Sequence, residues 1–172
     1  MTPLPHENLL TAMGEVGAAF VGFSLVVGVL RARSSASAEE SRRLYSMRDV
    51  AEIGLVAVAM SFLPLVIHAF GASPETTWRV GSTSCLAVTV FCMGASSRRR
   101  GSWLEGFRSE PIQTVLVTPL QLVIFGLLLV NILAGGPSSG ARYVAVVLLA
   151  LSVAGVLFVN ATFKSSEDRP GA

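Results

Sequence analysis

Charge is scarce in this chain. Charged side chains make up 14% of its 172 residues, and a single lysine, Lys164, stands against twelve arginines. Soluble domains carry about a quarter charged residues, so a fraction this low excludes an ordinary solvent-facing surface. Cysteine and histidine are as sparse, with two of each. Cys85 and Cys92 are seven residues apart, which is about 10 Å along a helix and too far for a mutual disulfide. They carry no information on redox compartment. Of the histidines only His68 falls in an apolar segment, and no Cys/His/carboxylate group has metal-ligand spacing, so neither a metal nor a haem with paired axial histidines is expected. No glycine-rich phosphate cradle appears, and no cofactor is expected. The string Gly136-Pro137-Ser138-Ser139-Gly140 fits G-x-S-x-G but lacks the preceding strand that would present the serine, and the chain is read as not an enzyme. No soluble basic surface or groove-reading element is present, so nucleic acid is not expected as a partner.

What the chain has instead is apolar length. Hydrophobic residues make up 52% and mean hydropathy is +0.63. A helix crossing a hydrocarbon core of roughly 30 Å needs about 20 apolar residues. Five windows meet that length: residues 9–30, 50–72, 78–97, 111–135 and 141–163. The expected fold is an all-α integral membrane protein, a bundle of five transmembrane helices forming one domain over residues 1–172. Ser37 and Glu40 fit a capping box and Glu39–Arg43 an i,i+4 pair, so the second helix is expected to begin near Ala38, as a cytoplasmic extension of a helix reaching residue 72. The first segment is expected to be retained, because no basic residue precedes it, Glu15 interrupts it, and Arg31 and Arg33 follow it.

Basic residues prefer the cytoplasmic side. Eleven of them fall in the 1–2 and 3–4 connections and the tail, and two, Arg79 and Arg142, on the opposite side. This split places the N-terminus outside and the C-terminus in the cytoplasm. The arginine bias points to a GC-rich bacterial genome, hence a bacterial cytoplasmic membrane.

Helix one carries small residues at steps of four, Gly14, Ala18 and Gly22, which suit close helix contact in lipid. It is expected to be central, and the apolar fifth helix the most lipid-exposed. In helix three, Ser82, Cys85, Thr89, Cys92 and Ser96 form a seam of small, mildly polar residues that suits helix packing or a narrow wet path. Pro64 should disturb helix two. Residues 1–8 read as a disordered or interfacial leader, Trp78 with Arg79 as an interfacial anchor, and Trp103, Leu104 and Phe107 as an interfacial half-helix.

Depth groups the polar residues of the membrane segments. Glu15 lies about 9 Å inside the start of helix one, His68 and Asn131 at similar depth in helices two and four, and Arg79 and Arg142 begin helices three and five. A carboxylate at such a place is a functional candidate, because its burial costs about 2.5–3.5 kcal/mol. Glu15 either pairs with Arg79, Arg142 or His68, or faces water and binds a cation or proton together with His68 and Asn131. Glu52 is near Arg31 in depth and is expected to pair with it. Two functions fit: an oligomeric channel or transporter for a cation or proton, or a non-catalytic accessory subunit. The expected partners are the lipid bilayer and either further copies of the chain or another membrane protein.

Overall fold

The computed structural model describes the backbone of residues 4–32, 38–100 and 111–167, with side chains over 4–30, 50–92, 94 and 115–159. Among the described residues there are five helices and no strand: α1 Glu7–Ala32, α2 Ala38–Ala69, α3 Pro74–Arg100, α4 Pro111–Ala134 and α5 Ser139–Glu167. Four of them are long and apolar enough to cross a membrane, over Glu7–Leu30, Val50–Ala69, Val115–Ala134 and Ser139–Val159. The expected half-helix around Trp103, Leu104 and Phe107 lies outside the described residues, as do Arg33 and Ser37.

Tight turns join the helices. Ser73 caps α3, its Oγ accepting from the Thr76 amide at 3.3 Å, with Pro74 at the first helical position and Glu75 beside it. Between α4 and α5, Gly135 and Gly136 both take positive φ, +57° and +91°, so the chain reverses within four residues. Hydroxyls inside the helices dispose of their protons locally: Ser24, Ser61, Thr89 and Ser152 each donate to the carbonyl four residues back.

Successive helices pack antiparallel. Gly14 opposes Phe62 while Gly17 opposes Gly54, and Asn131 meets Ser82. At one end Tyr143 reaches Met60, and towards the other Val50, Val153 and Leu157 share a second apolar cluster. The arrangement is an arc: α1, α2, α3 and α4 each touch their sequence neighbour, and α5 packs against all four. Among the described residues α1 and α4 do not meet.

Two expectations are corrected here. α5 is the centre of the bundle rather than its most exposed member, with Tyr143, Val146, Val147, Val153 and Ala154 fully enclosed. α1 is peripheral rather than central, packing on α2 and less extensively on α5. The reason lies in which face of α1 packs. Leu10, Met13, Gly14, Gly17 and Ser24 are buried, whereas Ala18, Ala19, Gly22, Val26 and Val29 are exposed together with Glu15. Gly17 and Gly54 form the closest approach. A Cβ on Gly17 would stand 3.0 Å from Val58 Cγ2 and 3.4 Å from the Gly54 carbonyl, and one on Gly54 would stand 3.0 Å from Val21 Cγ2 and 3.4 Å from the Gly17 carbonyl.

Candidate functional site

The densest polar grouping lies at the end of the bundle where α1, α3 and α5 begin and α2 and α4 finish. It starts from Pro64. A proline supplies no amide hydrogen, so the carbonyl four residues earlier, Met60, loses its helix donor. In a low-dielectric interior an unmet carbonyl costs about 1–3 kcal/mol. Tyr143 of α5 supplies the missing proton, its hydroxyl donating to the Met60 carbonyl at 2.8 Å. With that proton committed, the Tyr143 oxygen accepts from the Cys85 thiol of α3, at 2.9 Å. One side chain thus ties three helices together. Gly81 makes room for it: a Cβ there would stand 3.3 Å from the Tyr143 ring and 3.6 Å from Pro64.

One turn nearer the end, Asn131 is almost wholly enclosed. Its Nδ2 donates to Ser82 Oγ and to the Ser139 carbonyl, both at 3.0 Å, so α4 is tied to α3 and α5. Its Oδ1 has no protein donor, and neither does the buried hydroxyl of Thr77 accept or donate a bond among the described residues. Trp78 and Tyr143 pack beside these groups with ring centres 5.5 Å apart. Trp78 is therefore enclosed in the bundle, a correction to its expected role as an interfacial anchor. An indole this large contributes most by filling the space between helices.

The remaining candidates occupy different places. Arg142 closes the end of α4, donating to the Gly135 carbonyl at 2.8 Å, to Ser138 Oγ at 2.7 Å and, more weakly, to the Val130 carbonyl at 3.5 Å. A cation there meets the negative end of the helix dipole. Arg79 pairs with Glu75 one turn earlier at 3.2 Å, and its guanidinium lies over Gly135. His68 places Nδ1 3.0 Å from the Ala72 carbonyl, to which it donates as the Nδ1–H form.

Glu15 meets none of them. It is exposed on the outward face of α1, with no ion pair or hydrogen bond among the described residues. The expected pairing with Arg79, Arg142 or His68 is not formed, because on a helix turning 100° per residue Glu15 points nearly opposite to the Gly17 face that packs on α2. Glu15, His68 and Asn131 are therefore not one constellation within a single chain. Glu52 is half-buried and has an interaction of its own, while the Arg31 side chain lies outside the described residues.

The helix-packing candidates divide. Ser82 and Cys85 are buried, Thr89 and Cys92 half-buried, so this seam of α3 turns inward. Gly14 is enclosed, and a Cβ there would come within 2.6 Å of the Phe62 ring. Ala18 is exposed and Gly22 has open space around it. Among the described residues no group of three or more His, Cys, Asp or Glu side chains is placed to hold a metal ion.

Sequence reasoning passed over Tyr143, Thr77, Ser139 and the Gly17–Gly54 pair. Tyr143 had a usable signal, since a tyrosine in an apolar helix needs a hydroxyl partner and Pro64 leaves a carbonyl in need of one. No protein-family model, curated protein or solved structure matches this chain.

Proposed function

We propose that this chain is a multi-pass membrane protein that works as an assembly of copies joined through the outward face of α1, carrying a cation or proton past Glu15. One observation carries the reading: Glu15 sits inside a bilayer-length apolar helix, exposed and without a partner among the described residues. A carboxylate facing hydrocarbon costs about 2.5–3.5 kcal/mol. Copies that gather this face around a wet axis remove the cost, and rings of carboxylates are a device of cation channels. Ala18, Ala19 and Gly22 on the same face allow close helix approach. The topology that accompanies this reading has α3 as a fifth span, with the N-terminus outside and the C-terminus in the cytoplasm of a bacterial cell. Its support is the arginine distribution and the antiparallel course of the helices.

A second reading is favoured by a separate observation. Because α1 and α4 do not meet among the described residues, α5 exposes Ala141, Leu148, Ser152 and Val159 between them. Such a cleft suits a foreign transmembrane helix, as in a non-catalytic accessory subunit of a membrane complex.

The deciding experiment is the mass of the protein in lipid nanodiscs, followed by cation and proton flux in liposomes. The channel reading expects a discrete oligomer and a flux that Glu15→Gln reduces at least tenfold. A monomer in lipid, or flux untouched by Glu15→Gln, overturns it. Stable capture of a different membrane protein by a monomer supports the accessory reading.

A further inference from the structure

The segment before α1 is not a free leader. Leu4 is only 3% exposed and belongs to the main apolar cluster with Trp78 and Tyr143. The chain then turns sharply: His6 takes a φ of +69°, a left-handed conformation that only a few per cent of non-glycine residues adopt, histidine more readily than most, and its carbonyl accepts from the amides of Leu9 and Leu10. The imidazole edge of His6 and the indole of Trp78 meet over Gly140, each 3.1 Å from where a Cβ on Gly140 would stand. Residues 4–6 thus cross the end of the bundle, over the starts of α3 and α5. Thr77 and Ser139 immediately precede Trp78 and Gly140 in those helices, and the Ser139 carbonyl accepts from Asn131 Nδ2.

The closed arrangement contains its own counterweight. It encloses Thr77 Oγ1 and Asn131 Oδ1, which have no hydrogen-bond partner among the described residues. An enclosed polar atom gains most when water reaches it. It also holds His6 in a disfavoured backbone region. Against these stands the burial of Leu4 and its neighbours. We propose that residues Leu4–His6 form a strap that opens and closes this end of the bundle, admitting water to Thr77 and Asn131 when Leu4 leaves its seat. The strap is a feature of one chain and is independent of assembly through α1.

Trp78 lies beneath the strap and reports on it. The chain has two tryptophans, so a Trp103→Phe background leaves Trp78 as the sole indole. In nanodiscs, quenching of its fluorescence by aqueous iodide measures access from the water side. Leu4→Ser is expected to raise the quenching constant at least threefold and to shift emission to the red, with helix content unchanged. Leu4→Met, apolar and of similar volume, is expected to keep the parental value. Val153→Ala, which loosens the separate apolar cluster with Val50 and Leu157 further along α5, is the control and is expected to leave quenching as in the parent. Equal quenching in Leu4→Ser and the parent overturns the strap. So does an equal rise in Val153→Ala, which would mean general loosening.

Discussion

Among single residues, Tyr143 does the most. It meets the carbonyl that Pro64 leaves without a donor and accepts the Cys85 thiol, while its ring packs on Trp78. Tyr143→Phe keeps the ring and removes only the hydroxyl, so the Met60 carbonyl loses its donor. We expect destabilisation of about 1–3 kcal/mol, read from the midpoint of reversible unfolding in mixed micelles. The individual polar residues were legible from sequence, since Glu15, His68, Asn131, Arg79 and Arg142 stand out against apolar neighbours. Their partners were not. Depth along a helix follows from counting residues, but the direction of a side chain around it depends on which faces pack. Asn131 turned inward to Ser82 and Ser139, whereas Glu15 at comparable depth turned outward.

For the helices, existence was the legible part, since all five were expected from the sequence; α3, at Pro74–Arg100, is longer than the expected 78–97 and is not among the four apolar enough to cross a membrane. The order of the helices in space was not legible. The sequence of α1 offers glycine and alanine on two faces, and a step of four through Gly14, Ala18 and Gly22 competes with alternating steps of four and three through Leu10, Gly14, Gly17 and Val21. Gly54 on α2 decides for the second, since two glycines facing each other let both backbones approach. Gly17→Leu should therefore separate α1 from α2 and cost at least the 1–3 kcal/mol typical of overpacking. Faster proteolysis in the 33–37 connection, with the remaining helices intact, would register it. α5 was misplaced for a related reason: its long Val, Leu and Ala run suits a fully enclosed helix as well as a lipid-facing one.

At the scale of the whole molecule, the contrast between Gly17 and Gly22 separates folding from assembly. Among the described residues nothing lies within 4 Å of a Cβ on Gly22, so Gly22→Leu should not destabilise the single chain. If copies join through this face, the same substitution lowers the mass seen in nanodiscs. An unchanged mass would remove α1 from the interface. The all-helical class with membrane-length apolar helices was legible from the apolar runs and the 14% of charged residues. The arc shape of the molecule was not, because the gap between α1 and α4 depends on how far four helices reach around a fifth.

That the pillar of the bundle is the helix following the other four has a consequence for how the chain is made. Synthesis releases α1 to α4 before α5, so the inward seam of α3 and the amide of Asn131 must wait without Tyr143 and Ser139 to receive them. Until then α1 and α2 can pair through Gly17 and Gly54 and α3 can rest on α2 and α4, but the faces that all four turn towards α5 stay uncovered. Closure of this bundle is therefore expected to come late, when α5 fills the space that the other four helices leave between them.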